Sequence, residues 1–481
     1  MRLDQLVAGV PGVDRVVGDG GVEIAKLVYD SRKAGPGSLF FCVVGAKRDG
    51  HDFALDVVEA GAAALVVERE LALDAPQVVV ADARAAMAPF AARFEGDPTA
   101  DLRVIGVTGT NGKTTTAFLI REILEAARIQ CGLLGTVKQV VGEVEEEVER
   151  TTPEAIDLQA TFRRMLTAGD RACAMEVSSH ALVLHRADAI RFELALFTNL
   201  TQDHLDFHAD MEDYFRAKRK LFEGELEAAV INVDDPYGAR LAGEIECVTF
   251  SAEGAEADYS ARDVSFDAGG AEFSVGETRL RTRLPGHFNV ANALGAYAAA
   301  RELGIAADTA AAGLARAARV PGRFEPVDEG QEFAVLVDYA HTPDSMENVL
   351  RAARRLTSGR LIAVFGAGGD RDRDKRPKMG RAGGELSDLA VITSDNPRSE
   401  DPATIVAEVA GGAEGLAAAV EIEVDRRAAI ALALAAAGAG DTVVIAGKGH
   451  EQGQEFAAGR KLPFDDREVA REELAKLAGS A

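Results

Sequence analysis

Residues 103–127, "RVIGVTGTNGKTTTAFLIREILEAA", decide the fold. A short apolar stretch runs into a Gly/Thr loop, and the residues after the loop place their apolar side chains at helical spacing, so the segment reads as strand, loop and amphipathic helix. A strict phosphate-binding loop is G-x-x-x-x-G-K-[ST]; here the position five before Gly112 is Val107, and the spacing departs by one residue. The physics is unaffected. Gly109 and Gly112 let backbone N–H groups crowd a triphosphate, the helix N-terminus favours its charge, Lys113 neutralises it and Thr114 offers a hydroxyl to Mg²⁺. Thr110, Asn111 and Thr115 complete the expected ATP loop.

The same rhythm continues on both sides. Before the loop, "GSLFFCVV", "AALVVE" and "QVVVAD" are strand-like runs separated by Gly-rich or helical pieces, and "FEGDPTADLR" reads as a linker. After it come "RACAMEV", "ELALFTN" and "EAAVINVDD". A second boundary is expected at "VPGRFEPVDEGQEF", beyond which "AVLVDYAH", "RLIAVFGAGG", "DLAVITSDNPR" and "DTVVIAGKGH" repeat the α/β alternation. Each run ends in polar residues, and open parallel sheets gather their ligands outside the carboxyl ends of the strands.

A chain of 481 residues suggests about three domains of roughly 150 residues. The formal charge of −25 argues against a broad nucleic-acid binder, so any anionic ligand must meet local positive charge. Cys42, Cys131, Cys173 and Cys247 are scattered, without C-x-x-C spacing, which fits a reducing cytosol rather than a disulfide framework or zinc site. The first residues contain an acid at position 4 and no signal-like apolar region, and the longest apolar run, 428–437, is too short to span a bilayer. A soluble cytoplasmic protein is expected.

Metal ligands are sought where strands meet polar loops. Glu176 ends "RACAMEV" and His204 sits in "LFTNLTQDHLDFH". Shortly after it, "MEDYFRAKRKLFEG" (211–224) has helical periodicity with Tyr214, Phe215, Leu221 and Phe222 on one face, and Lys218, fourteen residues beyond His204, in the middle of that face. Such a lysine either snorkels out or is used. Burial disfavours its charged form, a neutral amine adds CO₂, and the resulting carbamate is an anionic two-oxygen ligand suited to Mg²⁺.

"GTNGKTT", "MEVSSHAL", "NLTQDHLDFH", "YFRAKRKLF", "GHFNVANALGA", "VPGRFE", "DYAHTPDSM", "GGDRDRDKRP" and "SDNPR" occur here in the order found in the Mur ligases, with "YDSRKAGPGSLFF" near the start. The chain therefore resembles that family along nearly its whole length. The resemblance implies an α/β fold with three domains: an N-terminal UDP-sugar-binding domain (1–98), a central P-loop-type parallel-sheet ATPase domain (99–328) and a C-terminal Rossmann-like amino-acid-binding domain (329–481). It implies ATP-dependent amide-bond formation, with Lys113, Glu176, His204 and carbamylated Lys218 as the catalytic groups, and a monomer is expected. Thr114, Glu176, His204 and Lys218 would hold Mg²⁺. Asn292 and Arg323 would contact the nucleotide, and Asp338 would reach its phosphate end.

By the same resemblance the UDP-N-acetylmuramoyl dipeptide meets Ser31, Thr151, Thr152, Ser178 and Arg186. Leu184 stands where a glutamine is often found, which leaves one edge of that pocket changed. As residues, Thr151 and Thr152 also suit a helix N-cap before Pro153 and Glu154. For the incoming amino acid, Arg398 can pair bidentately with a carboxylate and Arg371 offers a second positive group. Asp395, Asn396, Pro397 and Arg398, with Gly447 and Glu451, resemble the members that add meso-diaminopimelate. Residue by residue, "DNPR" is also simply an Asn-Pro turn after a strand.

The rivals are a Mur-type ligase that adds lysine, another ligase of the family, a folylpolyglutamate synthetase, a nucleotide-binding scaffold without activity, and a dehydrogenase. The last would use "VFGAGGDR", which has Arg371 where the third glycine belongs.

Overall fold

The computed structural model describes residues 1–45, 48–148, 150–267 and 269–480. The chain forms two compact units, one made of residues 1–108, 129–195 and 217–227, the other of 109–128, 196–216 and 228–481.

The first unit opens with a five-stranded sheet in the order Val13–Val17, Gln77–Val80, Ala64–Val67, Ser38–Phe41, Lys26–Val28. All its pairings are parallel except that of Val13–Val17. Both faces are covered, by separate apolar clusters around Leu39, Phe41 and Phe90 on one side and Phe40, Cys42 and Leu65 on the other. That is why "SLFF" shows no in–out alternation: a strand buried on two sides is apolar at every position. The same unit holds β1 (Arg103–Thr108), which pairs in parallel with β2 (Ala172–Glu176); β2 in turn pairs in parallel with Cys131–Leu134. Antiparallel strands Gln139–Val141 and Val144–Glu146 extend it. Register places Glu176 opposite Val107, at the carboxyl edge of both strands.

In the second unit the chain leaves the loop after β1 as α1 (Lys113–Ala126), whose buried side chains Ala117, Leu119, Ile120, Ile123 and Leu124 carry the helical period read from the sequence. A small antiparallel sheet (Arg262–Asp267, Gly270–Val275, Thr278–Thr282) precedes a buried helix, His287–Glu302. The last sheet has six strands in the order Glu325–Pro326, β3 (Ala334–Asp338), β6 (Thr442–Ala446), β4 (Leu361–Phe365), β5 (Leu389–Ile392), Ala419–Ile422. It is parallel apart from the two-residue edge strand. Helices cover both faces, giving two apolar clusters centred on Phe365 and on Ile445. The sheet turns Asp338, Ser394–Arg398 and Gly447–Glu451 to one edge, since Asp338 ends β3 and the other two follow the carboxyl ends of β5 and β6.

No helix among the described residues is long and apolar enough to cross a membrane.

Candidate active site

The Gly109–Thr115 loop is built as its composition requires. Gly112 has φ +87° and Gly109 φ +147°; a Cβ on Gly112 would strike Asn292 Oδ1, and one on Gly109 would strike the Thr198 hydroxyl. Asn199 fixes the loop from outside: its backbone carbonyl accepts from Thr110 N–H at 2.9 Å and its side-chain oxygen from Asn111 N–H at 2.9 Å. Lys113 folds back and donates to the carbonyls of Gly109 (3.0 Å) and Thr110 (2.9 Å), which keeps its ammonium against the loop. Asn292 accepts from Thr116 Oγ1 at 3.4 Å. Thr115 is buried on the first turn of α1. Arg323 donates from Nη2 to the Thr114 hydroxyl at 2.9 Å, lies 4.4 Å from the Tyr339 ring centroid, and leaves its buried Nε without a hydrogen-bond partner among the described residues. Asp338 accepts from Phe324 N–H and Ala340 N–H at 2.7 Å each; burial lifts its carboxyl above the usual carboxylate range although Arg323 opposes that.

His204 adopts φ +56° and sets Nε2 3.3 Å from Asp203. Sequence reading passed over Asp203, and it is the more buried of the two. Its carboxylate also stands 3.7 Å from His341 Nε2 and 3.7 Å from Lys375 Nζ. Burial works against the Asp203 charge, yet His204, His341 and Lys375 outweigh it and hold the pKa well below the ordinary value. The one local signal was its place directly before His204.

In the other unit Thr151, Thr152, Glu176, Ser178 and Arg186 come together. Glu176 is buried and accepts from Thr136 N–H (2.7 Å) and Thr136 Oγ1 (3.1 Å); Thr136 Oγ1 meets Thr151 Oγ1 at 3.0 Å. Thr152 donates to the Glu176 carbonyl at 2.9 Å and accepts from Ser178 N–H at 3.2 Å, while Arg186 donates to the Thr152 carbonyl at 3.2 Å. The N-cap reading of the two threonines fails: the following helix, Ala155–Ala168, has Glu154 at its N-cap and no side-chain cap bond. Glu154 instead binds three arginines, Arg84 (3.4 Å), Arg150 (2.6 Å) and Arg186 (3.0 Å). These partners are 70, 4 and 32 positions away along the chain, and only the i,i+4 pair had a local signal. Leu184 is the C-cap of a short helix, Ser179–Val183, and brings no polar group. Ser31 begins a single 3₁₀ turn just after Tyr29, whose hydroxyl donates to Asp157 at 2.6 Å.

Lys218 does not snorkel: it is 1% exposed, and Tyr214, Phe215, Leu221 and Phe222 are each buried as well. The helix is shorter than its periodicity suggested. It ends at Arg219, and Lys220–Phe222 tighten into a 3₁₀ turn, a common way for a helix to close.

Asn396 is not held by a local turn. Its Oδ1 accepts from Lys448 Nζ (2.8 Å) and Glu455 N–H (2.9 Å), and its Nδ2 donates to Glu451 Oε2 (2.9 Å). Asp395 lies beside Lys448 (3.7 Å), and a Cβ on Gly447 would come within 2.6 Å of its Oδ2. Burial disfavours the Asp395 carboxylate, but Lys448 and then Arg426 more than compensate and lower its pKa. Pro397 leads into Arg398, which takes φ +51° and donates to Glu455 (3.1 Å) and the Gly369 carbonyl (2.8 Å). A non-glycine residue held in this region is strained, a feature concentrated at functional sites. Arg371 and Arg398 flank Gly368, where a Cβ would lie 3.0 Å from Arg398 Nη1 and 3.7 Å from Arg371 Cγ.

Family models match in succession: "Mur ligase family, catalytic domain" over residues 23–95, "Mur ligase middle domain" over 107–300 and "Mur ligase, glutamate ligase domain" over 322–449. A protein of Streptomyces coelicolor named UDP-N-acetylmuramoyl-L-alanyl-D-glutamate–2,6-diaminopimelate ligase is 48% identical, covering 99% of this chain and 96% of its own length. The chain belongs to the Mur ligase family. A relative of the same name from Alkaliphilus metalliredigens is 43% identical over 100% of this chain and 98% of its own. A solved structure of a protein so named superposes with a TM-score of 0.69 at 32% identity, covering 99% of both chains.

Among the described residues no group of three or more His, Cys, Asp or Glu side chains could hold a metal ion. The set expected from the sequence contains only one residue of each of two of those types, Glu176 and His204. Glu176 fits a hard cation: it is a buried carboxylate that binds only neutral donors and, among the described residues, has no ion-pair partner.

Proposed function

We propose that this Mur ligase joins meso-diaminopimelate to UDP-N-acetylmuramoyl-L-alanyl-D-glutamate, with ATP converted to ADP and phosphate, in peptidoglycan synthesis. The observation that carries this reading is the 48% identity, along 99% of the chain, to a protein named for that ligation. The reading divides the chain into a UDP-sugar domain (1–98), an ATP domain (99–328) and an amino-acid domain (329–481), acting as a cytoplasmic monomer.

A carboxylate resists an amine until one of its oxygens becomes a leaving group. ATP therefore phosphorylates the D-glutamyl side-chain carboxylate, and the amine of diaminopimelate displaces phosphate from the acyl phosphate. In this scheme Gly109–Thr115 and the first turn of α1 take the triphosphate, with Lys113 neutralising it. Asn292 and Arg323 hold the nucleotide, and Asp338 serves its phosphate end. Thr114, Glu176, His204 and the Lys218 carbamate would hold Mg²⁺, which supplies charge neutralisation on the transferring phosphoryl oxygens. The carbamate forms when the neutral Lys218 amine adds CO₂ and loses a proton; removal from water favours that neutral amine.

Ser31, Thr151, Thr152, Ser178 and Arg186 are assigned to the UDP-linked dipeptide. Arg371, Asp395, Asn396, Pro397, Arg398, Gly447 and Glu451 are assigned to diaminopimelate. The experiment is phosphate release from ATP with each substrate omitted in turn. Release that requires both the UDP-linked dipeptide and diaminopimelate supports ligation, and no release with all substrates present supports a nucleotide-binding scaffold.

A further inference from the structure

Lys448 is wholly buried, 0% exposed, one residue past Gly447 at the end of β6. Its ammonium is enclosed by three acceptors: Asn396 Oδ1 at 2.8 Å, Glu451 Oε2 at 3.0 Å and Asp395 Oδ1 at 3.7 Å. An ammonium only donates, and so does the Glu455 N–H that shares Asn396 Oδ1. Two obligate donors on one oxygen fix which way the Asn396 amide is turned. The amide nitrogen is thereby directed at Glu451 Oε2, the same oxygen that Lys448 holds. One cation therefore ties together two side chains that the proposed function gives to the amino-acid substrate, sharing Asn396 Oδ1 with the Glu455 N–H.

Its two carboxylate neighbours are not equally served by other cations. Asp395 also feels Arg426, whose guanidinium is engaged by Asp466 and donates to the Ala446 carbonyl at 2.9 Å. Glu451 has no other cation within ion-pair distance among the described residues. Removing the Lys448 ammonium leaves the Glu451 carboxylate without its cation and leaves the Glu455 N–H as the one donor that still holds Asn396 Oδ1.

We propose that Lys448 is a positioning residue for amino-acid selection: it does not touch the substrate, but holds Asn396 and Glu451 in the one arrangement that receives it. This rests on the assignment of Asn396, Arg398 and Glu451 to diaminopimelate. The Asn396 amide then presents its second N–H and Glu451 its second oxygen, a fixed donor beside a fixed acceptor. That arrangement suits a carbon bearing both carboxylate and ammonium.

The test compares KM values in the full ligation assay. Lys448→Met is expected to raise the KM for diaminopimelate by about 30- to 100-fold while the KM for ATP moves by less than about twofold, and Lys448→Arg is expected to recover part of the loss. Equal increases in both KM values, or an unchanged diaminopimelate KM, overturn the role. If Lys448→Met loses its cooperative melting transition, the charge-balanced Lys448→Met/Glu451→Gln variant is compared with Glu451→Gln alone. A further increase of about tenfold in the diaminopimelate KM supports the role through Asn396, and identical values overturn it. Arg398→Ala run alongside separates the two layers: a rise there with none in Lys448→Met overturns the part played by Lys448 alone, whereas no rise in either overturns the placement of the substrate with it.

Discussion

Arg426 and Asp466 form a two-bond ion pair, Nε–Oδ1 2.8 Å and Nη2–Oδ2 2.7 Å, with both side chains fully buried. The guanidinium uses its remaining reach on the carbonyls of Ala446 (2.9 Å) and Ser394 (3.4 Å), so a single side chain ties the ends of β6 and β5 to the C-terminal helix, Asp466–Ser480. A buried pair of this kind adds little net stability over apolar residues, but breaking one half is costly.

Arg426→Met should therefore destabilise the protein by about 3–5 kcal/mol, because Asp466 is left as an uncompensated buried charge. The double variant Arg426→Met/Asp466→Leu should regain most of that loss in a urea titration. A single variant as stable as the parent would show that water reaches Asp466.

Arg398→Ala should raise the KM for diaminopimelate by about a hundredfold, since a charged pairing partner is removed, while the KM for ATP stays near its original value. Losses of similar size in both would count against assigning Arg398 to the amino acid.

Lys218→Ala should lower kcat by about 10³-fold, and added acetate or formate should restore part of it by supplying carboxylate oxygens in place of the carbamate. An unrescued variant with full activity would remove Lys218 from the mechanism.

Arg376 binds Glu400 and Glu408 at 2.7 Å each, and its hydrogen bond, against the opposing effect of burial, lowers the Glu400 pKa from 4.5 to about 2. A pKa lower in the folded than in the unfolded chain stabilises above the unfolded value, and that contribution disappears as pH falls from 4.5 towards 2. Replacing Glu400 by Gln should flatten the acid side of the stability profile in that window. An acid limb of unchanged steepness would mean that Glu400 titrates normally.

What the sequence made legible was local. The strand–loop–helix of 103–127, the polar ends of parallel strands and the burial of Lys218 all follow from periodicities a few residues long. The site's partners are another matter. Lys448 meets Asn396 across 52 positions, and Arg323 meets Thr114 across 209; no local pattern marks either. Family resemblance supplied Arg323, Asn396 and Arg186 as single residues but said nothing of Lys448, Asp203 or Glu154. Those are buried polar groups whose need for partners becomes visible only once the chain has removed them from water.

The central claim is that ATP is spent on joining diaminopimelate, and no other amino acid, to the UDP-linked dipeptide. ADP formation should be measured with that dipeptide and a panel containing meso-diaminopimelate, L-lysine, L-ornithine and D-alanyl-D-alanine. The account predicts turnover with diaminopimelate and a rate with L-lysine lower by about 10⁴-fold, as expected of a site built around a carboxylate the competitor lacks. Comparable turnover with L-lysine, or turnover only with another member of the panel, would contradict it.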